Sequence, residues 1–307
     1  GASVQAAGDV NGDGLADFLI GAPWGEAAQG TNAGESYLVF GRAGGFGNGG
    51  KTVVAIRLDP PGTDEDGIGD AELDSHRLKG SARHNGHEIR WCLGYEGEPE
   101  PLLFLPENLY TTRLPKAKSV VSRPQVQYRG KITVDGEEMV VDHWPGSENH
   151  NWGSQHTDRY AWGQVAAFDD APGAFLECIT AQVKVGPLRS PWMSIACLRV
   201  DGRDYLFNSL SRAFRADGRY HFFDWQLATG NGRERLSVSM SAPASHFTAL
   251  TYYNPPKGSK TCLNSKIARC EVRLSQPGQP DRILTSAHGA AFEILTDRND
   301  HGVPLSV

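Results

Sequence analysis

Turn chemistry constrains this chain more than any other feature. Three Asp-Gly dipeptides sit between strand-like stretches, at Asp135-Gly136, Asp201-Gly202 and Asp217-Gly218. Asp-Gly flanked by alternating apolar residues is the strongest short-range hairpin signal, because both turn residues must accept positive φ. Further strand candidates cover 52–58, 86–95, 124–134, 175–185, 234–241, 247–254, 267–275 and 290–295. No stretch carries a helical period over three turns, and strands do not alternate with helices, so a doubly wound sheet is excluded. The pattern predicts an all-β chain of antiparallel barrels or sandwiches. The 36 glycines and 18 prolines agree, since a surplus of turn formers suits many short strands.

With 307 residues, the chain has room for two or three domains at roughly 100–150 residues each. Thirty Lys and Arg against 36 Asp and Glu leave a net charge of −6, which argues against a nucleic-acid binder that neutralises phosphates with a basic face. No run of 18 apolar residues exists, so no membrane-spanning helix is predicted. The sequence begins at Gly1 with no leader, as expected of a processed product. The five cysteines form no zinc-spaced pair, and most sit among apolar neighbours as small buried hydrophobes. Only Cys262 and Cys270 are close enough in sequence to suggest a bridge, should they face each other across a hairpin.

Residues 1–42 differ from the rest. Asp9-Val10-Asn11-Gly12-Asp13-Gly14-Leu15-Ala16-Asp17 alternates oxygen side chains around a glycine at the sixth place. Side chains of Asp9, Asn11, Asp13 and Asp17, with the Leu15 carbonyl, would surround one Ca2+. Ile20 stands where an EF-hand has its bidentate Glu, so this is not an EF-hand. The loop, followed by Phe18-Leu19-Ile20-Gly21-Ala22-Pro23 and Ser36-Tyr37-Leu38-Val39-Phe40-Gly41, resembles one FG-GAP repeat, the blade unit of integrin-type β-propellers. No second such loop follows, and one blade cannot bury both faces, so a lone repeat is predicted. Calcium would point to an extracytoplasmic setting, where weak sites fill. Gly44 to Gly50 reads as a linker. Gly45 to Thr52 also matches a phosphate loop, but Val53-Val54-Ala55-Ile56 is strand-like where a helix should begin.

Four of seven tryptophans fall between Trp144 and Trp192. Their centre, Trp144 to Gln164, packs three Trp, two His, two Asn and two Gln with both signs of charge. That mixture suits either an apolar cavity with a few directed polar groups or a crossover whose polar side chains satisfy buried backbone. Within it, Gly146-Ser147-Glu148-Asn149-His150-Asn151-Trp152-Gly153, followed by Tyr160-Ala161-Trp162-Gly163-Gln164, resembles the G-x-x-D-H-N-W-G signature of the carotenoid hydratase and AttH-like family, with tocopherol cyclases more distant. Phe175 to Val185 and Tyr252 to Cys270 extend the likeness, which spans about residues 53–296. It implies two stacked lipocalin-like barrels enclosing an apolar pocket, and hydration, dehydration or cyclisation of isoprenoid-like substrates. Asn149 stands where the family has its proton-delivering Asp, and an amide cannot deliver a proton. The first barrel's opening strands are also missing from the pattern, the calcium segment standing in their place.

The predicted organisation is therefore 1–50 as calcium-loop segment and linker, 51–158 as a first barrel and 159–307 as a second. If acid chemistry survives, the expected catalytic set is Glu148, His150, His156, Asp158 and Tyr160. Glu148 is the candidate acid, because burial beside tryptophan would raise its pKa. Ligand contacts are expected from Trp144, Asn149, Asn151, Trp152, Trp162 and Tyr253. The predicted partner is a hydrophobic small molecule, with no organic cofactor. A non-catalytic lipid or terpenoid carrier, a hydrolase using Ser154 with His156 and Asp158, and a calcium-dependent surface-interaction protein are the alternatives. No G-x-S-x-G elbow supports the hydrolase.

Overall fold

The computed structural model describes residues 76–84, 87–112, 114–153, 157–185, 188–253 and 259–305, with strands at 3–8, 17–22, 35–39 and 72–73. The calcium-loop residues Asp9, Asn11, Asp13 and Leu15, strand candidate 52–58, and His156 lie outside these. A first antiparallel sheet joins β1 (Ser3–Gly8), β2 (Asp17–Ala22) and β3 (Glu35–Val39). Its strand β2 opens at Asp17, opposite Gly8. A second sheet runs in chain order through β4 (Glu72–Leu73), β5 (Arg77–His84), β6 (His87–Glu96), β7 (Ala117–Val134) and β8 (Glu137–Gly153). Strand β1 lies beside β5 and β6.

The remaining residues form one large sheet. Its members are β9 (Arg159–Val165), β10 (Phe175–Gln182), β13 (Met193–Val200), β14 (Arg203–Phe207), β15 (Asp217–His221), β16 (Asp224–Gly230), β17 (Arg235–Ser241), β18 (Thr248–Tyr253), β19 (Ser259–Ser275) and β20 (Arg282–Thr296). A two-strand ribbon, β11 (Lys184–Val185) and β12 (Leu188–Arg189), links β10 to β13. The strand order is β14-β13-β10-β9-β20-β19-β17-β16-β15, with β18 also on β19. First and last strands of this half, β9 and β20, therefore pair in the middle. The expected all-β antiparallel architecture holds, and among described residues the only α-helix is the single turn α1 (Leu210–Ala213).

The hydrogen-bonded ring does not close. Strands β14 and β15 are consecutive and joined through α1, yet no ladder connects them. Side chains close the gap instead. The Trp225 indole N–H on β16 donates across the interior to Thr180 Oγ1 on β10 at 3.0 Å. Gly218 explains why β15 comes so near: a Cβ there would run into Ser194 Oγ and Thr180 Oγ1. This corrects one expected hairpin turn, since Asp217-Gly218 lies inside β15 and the chain reverses beyond it, with Phe223 at φ 75°. Glycine is needed there for close approach, not for a left-handed φ. The other two turns are as expected, with φ of 49° and 90° at Asp135-Gly136 and 52° and 71° at Asp201-Gly202.

The inner face of the large sheet is filled rather than hollow. Trp225 stacks on Phe292 at 6.1 Å, and Phe247 meets Phe292 edge-on at 5.5 Å. Ala161, Gly163 and Val165 of β9 face this core, with Met240 and Trp225 occupying the space a Gly163 side chain would take. Each such fully buried large side chain contributes roughly 1.5–3 kcal/mol. The cysteines join in as hydrophobes: all five are free, and four are buried. A Cys262–Cys270 bridge is ruled out because both sit on β19. Extended chain at roughly 3.3 Å per residue separates them far beyond the ~7 Å limit for a disulfide.

Candidate functional site

Both faces of β9, β10, β13 and β20 are largely buried, which is unusual for an antiparallel sheet. One face wraps the aromatic core, and the other is covered in part by the amino-terminal half. Leu102, Phe104 and Val121 pack on Phe175, Ile195 and Cys197 of that outer face. Asn208 Nδ2 also donates to the Leu103 carbonyl at 3.1 Å, and Gln125 Nε2 to the Pro172 carbonyl at 3.2 Å. A second apolar cluster on the outer face contains Tyr160, Ala181, Leu250, Cys262 and Leu295.

Strand register sets out what lies between the two clusters. Directly opposed residues of an antiparallel ladder share a face. Thr248 opposes Asn264, Asn264 opposes Glu293, Glu293 opposes Trp162, and Trp162 opposes Ile179. The next row on the same face pairs Gln164 with Glu177 and Glu177 with Cys197. A band of polar side chains thus crosses an otherwise apolar, buried surface.

Trp162 is the hub of the band. Its indole N–H donates to Glu177 Oε1 at 3.0 Å. Its ring lies 5.6 Å from Lys266 Nζ, within cation–π range. Lys266 in turn donates to Glu293 Oε1 at 2.8 Å, as does Asn264 Nδ2 at 2.8 Å. Tyr160 Oη reaches Glu293 Oε2 at 3.5 Å, the outer limit of a hydrogen bond. The pair Lys266–Glu293 is buried on both sides, and such pairs are retained only where hydrogen bonds offset desolvation.

Glu177 is different. Only 2 % exposed, it has one hydrogen-bonded oxygen, while Oε2 is buried with no hydrogen-bond partner among the described residues. Burial, opposed only by the Trp162 hydrogen bond, pushes its carboxyl up to about 7. At neutral pH it can carry a proton and still hold it loosely enough to give away.

The expected site residues divide by face. Asn149 and Ser147 point from β8 toward Gln164 and close a ring with it. Ser147 Oγ donates to Gln164 Oε1 at 2.8 Å, Gln164 Nε2 to Asn149 Oδ1 at 3.0 Å, and Asn149 Nδ2 to Ser147 Oγ at 3.0 Å. Each member gives one hydrogen bond and accepts one, so the Asn149 amide is used at both ends to tie β8 to β9. An aspartate there would lose the donor. Glu148 and His150 occupy the alternate face of β8. Glu148 lies 3.7 Å from Arg123 Nε, and His150 is exposed. Trp144 is half-buried opposite Tyr128, and Asn151 is exposed opposite Ser119.

Asp158 sits at the end of the band. Burial works against its charge, but hydrogen bonds from Lys260 Nζ (2.9 Å) and Arg189 Nε (2.6 Å) outweigh it and hold the carboxyl below its usual range. It is therefore an ion-paired carboxylate rather than a proton donor. For Trp152 and Tyr253 only the strand position is described, opposite Lys118 and Ser259. The structure thus gathers Tyr160 and Trp162, with Asn149 nearby, and separates them from Glu148 and His150. It adds Glu177, Glu293, Lys266, Asn264 and Thr248. The first two had a legible signal: a lone carboxylate inside Phe175-Leu176-Glu177-Cys178-Ile179 and Ala290-Ala291-Phe292-Glu293-Ile294-Leu295, since an acidic residue in a buried run needs a reason.

Comparison with known proteins agrees with this architecture. The FG-GAP repeat family matches residues 1–39. No curated protein matches the chain in sequence. Among solved structures, kievitone hydratase from Nectria haematococca superposes with a TM-score of 0.50 at 10% identity, covering 96% of this chain and 88% of that one. An AttH-like protein from Nitrosomonas europaea gives 0.42 at 14% identity, covering 96% and 89%. At such identity the first likeness speaks to the fold: an antiparallel all-β chain of the kind on which that hydratase is built.

Proposed function

We propose that this protein is a cofactor-independent lyase or isomerase of the hydratase, dehydratase or cyclase kind, acting on a hydrophobic, isoprenoid-like small molecule at the outer-face band around Trp162. One observation carries this reading: Glu177 is a buried carboxyl, pushed up to about 7 by burial, with an oxygen that nothing among the described residues engages. In hydration, Glu177 would give its proton to one carbon of a C=C bond. Water would add to the resulting cation, and the proton that water loses would restore the acid. The face of Trp162 away from Lys266 would stabilise the cation. The fold of kievitone hydratase, a hydratase by name, is consistent with that role.

The test is isotopic. Incubation of prenyl-bearing compounds with the full chain in D2O or H2-18O should place one deuterium on carbon or one labelled oxygen in the product. Glu177→Gln should lower turnover by about 10²–10⁴-fold while ligand uptake persists. Turnover should also fall as pH rises through about 7, where Glu177 loses its proton. Wild-type rates in Glu177→Gln would overturn the assignment. A second reading, a non-catalytic carrier using the same face, is favoured by Asn149, whose amide is spent on structure; uptake without label incorporation would select it.

A further inference from the structure

Three buried polar atoms of the band have no hydrogen-bond partner among the described residues: Glu177 Oε2, Asn264 Oδ1 and Thr248 Oγ1. The latter two belong together. Asn264 and Thr248 are 2 % and 3 % exposed and directly opposed across β19 and β18, which sets their Cβ atoms roughly 4.5–5.5 Å apart on one face. One Asn264 amide N–H donates to Glu293, and its carbonyl oxygen is left as an acceptor. Thr248 offers a hydroxyl that can donate. Leaving such atoms unpaired in a buried setting is costly, and native proteins rarely do so without a purpose.

One group satisfies both atoms at once. A ligand hydroxyl accepts from the Thr248 O–H and donates to Asn264 Oδ1. A ketone or ether could only accept, leaving Asn264 unpaired, and a hydrocarbon could do neither. Resting on the reading of Glu177 as the acid, we infer that Thr248 and Asn264 form a hydroxyl-binding subsite, so that the substrate is an apolar alcohol or phenol rather than a pure hydrocarbon. Three strand spacings separate Asn264 from Glu177 and four separate Thr248, on the order of 15–20 Å across the sheet. The hydroxyl is thus held at one end of an extended molecule and the reacting double bond at the other. Glu293 with its Lys266 partner, then Trp162 and Ile179, lie on the same face along that path.

Binding of three matched probes to the full chain tests this: farnesol, its methyl ether and the hydrocarbon farnesene. Farnesol should bind about tenfold or more tightly than either comparison compound. The near-isosteric Thr248→Val should cut that preference below about threefold, and Asn264→Leu should do the same. Equal binding of alcohol and hydrocarbon by the wild-type chain would overturn the subsite, since the pair would then hold a water only. Binding of none of the probes, or an alcohol preference that survives both substitutions, would overturn it too. The outcome is separable from the fate of Glu177. Alcohol preference without turnover upholds the subsite and sinks the enzyme reading, whereas turnover without alcohol preference sinks the subsite alone.

Discussion

The same strands present two faces that solve opposite problems. On the inner face of β9, β10 and β20, Ala161, Val165, Leu176, Cys178, Phe292 and Ile294 pack with Trp225 and Phe247, and the interior indole N–H of Trp225 finds its acceptor in Thr180. On the outer face, residues one position away are the half-buried Trp162 and the buried Glu177 and Glu293, and Glu177 Oε2 has no hydrogen-bond partner among the described residues. Burial alone therefore does not distinguish core from site. Polar satisfaction separates the two faces: on the first the interior indole is paired, and on the second Glu177 Oε2, Asn264 Oδ1 and Thr248 Oγ1 have no partner among the described residues.

The comparison is broken most severely at the buried ion pair. Lys266→Met leaves the buried Glu293 without its counter-charge, with only the Asn264 amide and the Tyr160 hydroxyl still reaching it, and should destabilise the fold by about 3–5 kcal/mol. The double variant Lys266→Met with Glu293→Leu should recover much of this. Urea denaturation of the three proteins decides it; a single variant as stable as wild type would mean that the pair is solvated.

Next in size is a gain. Glu177 holds its proton to about 7 when folded but to about 4.5 when unfolded. Between those values the unfolded chain releases a proton that the folded chain keeps, so stability falls as pH rises and levels off above about 7. The accumulated loss is about 3 kcal/mol. Glu177→Gln, which cannot ionise, should be more stable than wild type by about that amount at pH 8, and the gap should close toward pH 4.5. Thermal melts across this range would show it, and a pH-independent difference would contradict it.

The smallest effect sharpens the contrast at its edge. Asn149→Ala opens the ring with Ser147 and Gln164 at an exposed position, and should cost about 0.5–1.5 kcal/mol. A loss well beyond that range in chemical denaturation would show that the ring bears more of the contact between the halves than its exposure suggests.

How much of this was legible varies residue by residue. The turns at Asp135-Gly136 and Asp201-Gly202 were readable because positive φ is a local demand. The same dipeptide at 217–218 misled, because the demand on Gly218 comes from Thr180 and Ser194, tens of residues away. Glu148 looked like the acid because it adjoins the family's aspartate position. Alternation along β8 turns it toward Arg123, while the carboxyl beside Trp162 arrives from β10.

Local chemistry determined that this chain would be antiparallel β, where several of its strands would run, and that Trp144 to Gln164 would be unusual. A strand's period of two sorts its residues into two sets, and the sequence contains that sorting in full. Which set faces the aromatic core and which faces the neighbouring half is fixed only by pairing between strands as distant as β9 and β20. That pairing puts Thr248, Asn264, Glu293 and Trp162 in one row, because hydrogen-bond register, unlike turn formation, is a property of two segments and is written in neither alone.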